Sequence, residues 1–186
     1  MSEETDRLAI ALFSEMLTAD QLARARLSKA LPKGMELSHF VLLNYLAQHR
    51  EEHSPAELAR TFHLSRGAMT NTLNRLDWAG HVHIRPDWDD ARRKRISISP
   101  SGLAAREAAL AAIRPIMSGA AQAIGAERVR ATIPVLREIR TRFSEECGRA
   151  ASRRPLVAAP NHQLGAFHPR LQTLDVAHEV AQLALA

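Results

Sequence analysis

Apolar residues recur through the first thirty positions with no glycine or proline among them: Leu8, Ile10, Leu12, Phe13, Met16, Leu17, Leu22 and Leu27. The pattern predicts a helix from Glu4 to about Ala30, ended by the "LPKG" that follows. Its apolar arc is wider than one core contact needs, so a second surface, such as another subunit, would cover part of it. Ser38 reads as the N-cap of a buried helix, "HFVLLNYLAQH", ending near Arg50. In "SPAELARTF", Ser54 and Glu57 form an S-x-x-E capping box with Pro55 at the first helical position, two start signals at one place. Ser65 caps the next helix, "RGAMTNTLNRLDWA", which Gly80 stops. A helix of about eight residues, a turn of about three and a helix of about fourteen make a helix-turn-helix.

After Gly80 the period changes from helical to alternating. Val82 and Ile84, then Ile96 and Ile98, predict the two strands of a hairpin. From Pro100 the chain is helical again, with a stripe of Leu103, Leu110, Ile113 and Met117 that Pro115 should bend. Gly125 breaks the run. Val129, Ile133, Leu136, Ile139 and Phe143 mark a last long helix, with Pro134 a second expected bend. From about Arg149, "RAASRRPLVAAPNHQLGAFHPR" has three prolines and no helical period, so residues 149–186 are read as a tail, either a flexible extension or a docking arm. The predicted fold class is mostly α with a small β-hairpin.

Length and composition limit what such a chain can be. Its 186 residues suit one domain, or one plus an appendage, and can bury a core without a metal or disulfide staple. The single cysteine, Cys147, excludes an intramolecular disulfide and fits a reducing cytoplasm. No apolar run approaches the ~20 residues that span a bilayer. The opening "MSEETDR" is acidic where a secretory signal would be basic. A cytoplasmic protein with no membrane partner is expected. The net charge of +5 points only weakly to an anionic partner. Its distribution says more: Arg92, Arg93, Lys94 and Arg95 are consecutive, and Arg85 lies across the hairpin.

Projected at about 100° per residue, Met69, Leu73 and Leu76 fall on one side of the second short helix. Gly67, Thr70, Asn71, Asn74 and Arg75 fall on the other. A merely solvated face usually carries Lys and Glu, whereas Gly, Thr and Asn here cost helix propensity. An Asn amide can donate and accept at once, matching the major-groove edge of adenine. Glycine lets a phosphate approach the backbone, and the helix start at Ser65 and Arg66 favours an anion. The hairpin that follows then reads as a wing. Asp90 and Arg92, two apart at the probable tip, would let the carboxylate aim the guanidinium into a minor groove. Arg93, Lys94 and Arg95 would contact phosphates and stiffen the returning strand, with Asp87 and Asp89 breaking up the positive patch.

In this order, "ELSHFVLLNYLA", "SPAELARTFHLSRGAMTNTLNRLDWAGHV" and "DWDDARRKRISISPSG" resemble the MarR family of winged helix-turn-helix transcriptional regulators. The resemblance covers about residues 5–148. Its most specific element is the wing pattern D-x-R-x-x-R, here Asp90, Arg92 and Arg95, followed by "SPSG" where the family often has Thr-x-x-Gly. It implies a homodimer on a pseudo-palindromic operator. A dimerisation helix would span 5–34, a winged DNA-binding lobe 35–100, and C-terminal dimerisation helices 101–148. Leu8, Leu12, Met16, Val129, Ile133, Leu136 and Phe143 would lie at the intertwined dimer interface. By position, Arg66, Thr70, Asn71 and Arg75 would contact bases or phosphates, and Arg92 would sit at the wing tip. Many relatives have arginine where this chain has Asn71, so their base preference is not carried over. The resemblance also implies a repressor relieved by a small aromatic or amphipathic ligand held between dimerisation helices and DNA-binding lobe; no cofactor is implied.

Other readings are narrower. His49 with His53, and His81 with His83, suggest metal ligation, but no cysteine or tight acidic cluster completes a four-ligand set, so no metal site is expected. Cys147 continues the last helical stripe and reads as an ordinary half-buried thiol rather than a redox sensor. No Gly-rich phosphate loop, nucleophile elbow or H-E-x-x-H helix is present, which argues against an enzyme. The alternative to DNA binding is a winged helix that docks another protein, for which neither Arg92 at a wing tip nor the Asn/Thr face would be needed.

Overall fold

The structure, a computed structural model, describes residues 3–90 and 92–152, with only the backbone described from residue 146. The predicted tail from residue 153 and the side chain of Cys147 lie outside the described residues. The elements run α1 (Glu3–Ala30), α2 (Leu37–Gln48), α3 (Pro55–Thr61), α4 (Arg66–Trp78), β1 (Val82–Pro86), β2 (Lys94–Ile98), α5 (Pro100–Ile124) and α6 (Ala126–Ser152). The fold is mostly helical with one antiparallel hairpin, as the periodicity predicts. None of the described helices is long and apolar enough to cross a membrane. Two compact units divide after Ser118.

In the first unit the core forms where α2, α3, α4 and the hairpin converge. Leu43 and Leu46 of α2, Leu58 of α3, Met69, Leu73 and Leu76 of α4, Val82 of β1 and Ile96 of β2 pack as one buried cluster. Fully burying each such side chain is worth about 1.5–3 kcal/mol, so this cluster orients α4. Ser54 caps α3 as its sequence predicts: its hydroxyl accepts the Glu57 N–H at 3.2 Å and its own N–H donates to the Glu57 carboxylate at 2.7 Å. Ser65 caps α4 by accepting the Ala68 N–H at 3.2 Å. The turn between these helices holds His63 in the left-handed region, φ 49°.

Ser38 is not the cap of α2. That helix begins two residues earlier, after Glu36, whose extended backbone donates its N–H to His39 Nδ1 at 3.4 Å. Leu37 is buried, so the first turn must include it for its side chain to reach the core. The helix ends at Gln48, short of Arg50.

The hairpin pairs Val82 with Ile98 and Ile84 with Ile96, so the alternating apolar positions of the two strands stand opposite one another. The segment between α2 and α3 adds a bridge to this hairpin. His53 exchanges two backbone hydrogen bonds with Ile96, at 3.0 and 2.8 Å, along the outer edge of β2. The base of the hairpin is locked to the start of α5. Ser99 donates its N–H to the His81 carbonyl at 3.0 Å and its hydroxyl to the Gly80 carbonyl at 2.6 Å. The same hydroxyl accepts the Gly102 N–H at 2.9 Å. Gly102 lies so close to this joint that a Cβ would stand 2.0 Å from the His81 carbonyl oxygen, which gives "SPSG" its physical meaning. Between α2 and α5, buried Asn44 accepts two hydrogen bonds from Arg106 on its Oδ1, at 3.0 and 2.9 Å.

Helix α5 continues through Pro115 and α6 through Pro134. Helix α6 reaches Ser152, past the predicted change at Arg149. Along α6, Val129 and Ile133 are half-buried, while Leu136 and Phe143 stay exposed. On α1, Leu27 is buried, Met16 is half-buried, and Leu8 and Leu12 are exposed.

Candidate nucleic-acid interface

The face of α4 divides as the helical projection predicts. Met69, Leu73 and Leu76 are 1–2 % exposed, whereas Ser65, Arg66, Gly67, Thr70, Asn71, Asn74 and Arg75 all face solvent. Thr70 donates its hydroxyl to the Arg66 carbonyl at 2.8 Å, which leaves its methyl outward. Nothing would meet a Cβ at Gly67 within 4 Å, so that position keeps the helix surface low for an approaching backbone. Arg75 forms an ion pair with Glu36, at the foot of α2, rather than extending freely.

Arg66 and Thr70 of α4 share a groove of about 480 Å³ with Arg92, Arg93, Lys94 and Arg95 of the wing; the start of α3, Ser54 to Glu57, forms its floor. Helix and wing thus present cations toward one shared space. Arg75 instead lines a second groove of about 490 Å³, with Glu36, His39, Leu76, His81 and Ala105. Arg66, Thr70 and the wing cations thus share one groove and Arg75 lines another, while Gly67, Asn71 and Asn74 line neither.

Charges in the wing are distributed differently from the sequence expectation. Asp90 does not aim the Arg92 guanidinium. Its carboxylate accepts the Arg92 backbone N–H at 3.0 Å and pairs with Arg93 Nε at 3.3 Å. The reason is the turn: the Arg93 N–H donates to the Asp90 carbonyl at 2.8 Å, which brings the third residue along, not the second, beside the carboxylate. Arg95 is a strut. Its Nε lies 2.9 Å from Asp87, whose side chain is only 9 % exposed, so Asp87 is an internal partner and does not dilute the surface charge. The Asp87 carboxyl is held below its ordinary range first by the Asp89 N–H and then by Arg95. Arg85 is likewise committed, its Nε donating to Glu52 at 2.8 Å and its second arm to the other carboxylate oxygen. Arg92, Arg93 and Lys94 remain at the surface.

Two tryptophans carry a signal that sequence reasoning missed. Trp78 is 97 % exposed and Trp88 87 %. Trp78 lies seven residues after Asn71 on α4, about 20° from it at 100° per residue, so it extends the same face. Trp88 belongs to the wing, under the Arg85 guanidinium.

The histidines pair internally. His53 is buried, with Nε2 3.3 Å from the His49 carbonyl and its ring 5.3 Å from that of Tyr45. His81 precedes β1 and contacts Ser101 at 3.3 Å, so it does not share a strand face with His83. Among the described residues no group of three or more His, Cys, Asp or Glu could hold a metal ion. His39 is buried at the second groove, and burial first of all lowers its pKa; Glu36 opposes this, while Arg75 and His81 add to it.

Residues 33–93 match the model of the MarR family. The fold is that of solved regulators of this kind. The transcriptional regulator BldR from Sulfolobus Solfataricus superposes with a TM-score of 0.65 at 20% identity, covering 76% of this chain and 99% of that one. A mutant MarR from E.coli complexed with operator DNA gives 0.61 at 19% identity, over 75% and 99% of the two chains. The PcaV transcriptional regulator from Streptomyces coelicolor, in complex with its natural ligand, gives 0.57 at 16% identity, over 69% and 88%. No curated protein sequence matches the chain.

Proposed function

We propose, from the premise that this chain carries the MarR-family winged helix-turn-helix, that it is a sequence-specific double-stranded DNA-binding transcriptional regulator acting as a homodimer. The observation that carries the reading is the shared groove: Arg66 and Thr70 of α4 face the same space as Arg92, Arg93 and Lys94 of the wing. Helix α4 enters the major groove with Asn71 and Asn74 toward base edges. The wing reaches the adjacent minor groove, with Arg92 foremost.

The dimer is supported by α1, where Leu8, Ile10, Leu17 and Leu22 are each 65–68 % exposed in a single chain. Large apolar side chains of that exposure, on both sides of one helix, are what a second subunit covers. Leu12, Met16, Val129, Ile133, Leu136 and Phe143 complete the proposed interface. A two-fold dimer reads a pseudo-palindrome with half-sites about 34 Å apart, one helical turn. Repression relieved by a small amphipathic ligand fits the second groove. Met35, Leu76 and Ala105 offer apolar walls there, and a ligand carboxylate could compete with Glu36 for Arg75.

Selection of bound duplexes from random DNA tests the whole reading. A pseudo-palindromic consensus with that spacing is the expected result, and Asn71→Ala should return a different consensus. A protein that selects no sequence and binds a protein partner with no dependence on salt would instead be the docking module.

A further inference from the structure

Trp88 is the most conspicuous apolar group on the wing. An indole is costly to leave in water, yet this one is 87 % exposed. The guanidinium carbon of Arg85 lies 5.2 Å from its ring centroid. Arg85 in turn is fixed by three contacts: Nε to Glu52 at 2.8 Å, a second arm to the same carboxylate, and Nη1 to the Pro86 carbonyl at 3.1 Å. With its donors so engaged, Arg85 is poorly placed to take a phosphate. It stands over one side of the indole, which is otherwise open to solvent, on the same hairpin as the exposed cations Arg92 and Lys94.

We infer that Trp88 is a one-sided apolar contact to the duplex: its open face packs on the deoxyribose wall of the groove, and Arg85 is its positioning residue. The inference rests on the DNA-binding function proposed above and adds a contact to it. The geometry favours the sugar wall over insertion between base pairs, because insertion requires both ring faces and the Arg85 guanidinium stands over one of them. A deoxyribose edge offers C–H groups to a single face, with the phosphates on either side within reach of the wing cations.

Titration of a fixed operator-containing duplex at several salt concentrations tests this with the full chain. Trp88→Ala should weaken binding about five- to tenfold, the scale expected for losing part of one aromatic face. Because an apolar contact releases no counterions, the slope of log K against log[salt] should stay unchanged. Trp88→Phe, which keeps a flat ring, should recover most of the loss and guards against a folding defect in the alanine variant. Arg85→Ala should weaken binding like Trp88→Ala, also without changing the slope. A slope shallower by about 0.9 would mark Arg85 as a phosphate ligand and overturn its positioning role. Wild-type binding that falls steeply with salt, together with unchanged affinity in Trp88→Ala, would overturn the inference and leave the DNA-binding function standing. A duplex kinked at the wing contact would mean insertion and overturn the one-sided packing. A wild-type protein that binds no duplex at all would overturn both.

Discussion

Gly67 and Gly102 occupy nearly equivalent positions, second in α4 and third in α5, but their surroundings are opposite. At Gly67 an added methyl meets nothing within 4 Å; at Gly102 it meets the His81 carbonyl oxygen at 2.0 Å, the carbonyl carbon at 2.9 Å and Ile98 Cγ1 at 3.0 Å. Real Cβ atoms essentially never approach closer than 3.0 Å, so Gly102→Ala forces the joint open by at least about 1 Å. The obstacle is backbone, not the end of a flexible side chain, and the Ser99 N–H bond to the same carbonyl is strained with it. Overpacking of this kind costs about 1–3 kcal/mol, and a weakened backbone hydrogen bond adds about 1. The helix-propensity gain from glycine to alanine, at most about 1 kcal/mol, offsets part of this and applies equally to Gly67. The net expectation is a loss of about 1–3 kcal/mol for Gly102→Ala and a gain of up to about 1 kcal/mol for Gly67→Ala. Urea unfolding followed by circular dichroism, at one fixed protein concentration because subunit association would contribute, reads both. Should Gly102→Ala unfold at the wild-type midpoint, or shift with Gly67→Ala, the close packing of α5 on the hairpin base would not exist as described.

Three further outcomes follow from the charged groups. Burial depresses the pKa of His39 in the folded chain, so the unfolded chain takes up the proton first as pH falls below about 6.5. Its contribution is therefore complete above that pH and is lost as pH falls toward the folded value. The stability difference between about pH 7.5 and pH 5.5 should shrink in His39→Gln; an identical difference in both proteins would contradict the assignment. Arg92→Ala should leave the subunit assembly unchanged by sedimentation, weaken duplex binding, and flatten its salt slope by about 0.9. Because Arg75 and Glu36 are both about half exposed, Glu36→Gln should change stability by less than about 0.5 kcal/mol. If α4 reads DNA as proposed, it should nevertheless raise affinity for a duplex, measurable by fluorescence anisotropy, since it frees a cation of α4 and removes a nearby negative charge.

The parts of this molecule that are legible in its sequence are those decided within one or two turns of chain. Ser54, Pro55 and Glu57 specify the start of α3 by contacts three residues apart, and the core and outer faces of α4 follow from its period. The alternation of Val82, Ile84, Ile96 and Ile98 marks the two strands of the hairpin. What escaped depends on distant partners or on the local turn. Glu36 displaces Ser38 as the N-cap of α2 because Leu37 has a core to reach. Arg85 found Glu52 and Arg75 found Glu36, pairs separated by 33 and 39 positions. Asp90 turned to Arg93 because the tip is a tight turn, whose geometry a two-residue spacing does not reveal. The exposure of Trp78 and Trp88 is not legible in the sequence, because an aromatic residue is ordinarily at home in a core.

The inward pairing of Arg85 with Glu52 and of Arg95 with Asp87 changes what a formal charge of +5 means. A polyanion approaching the hairpin would encounter mainly Arg92 and Lys94, with Arg93 shared with its own turn. The number of small ions expelled on association is thus set by which guanidiniums still exchange with bulk water. Two chains of identical composition, differing only in whether such acids lie beneath or beside their arginines, would respond to ionic strength as different molecules.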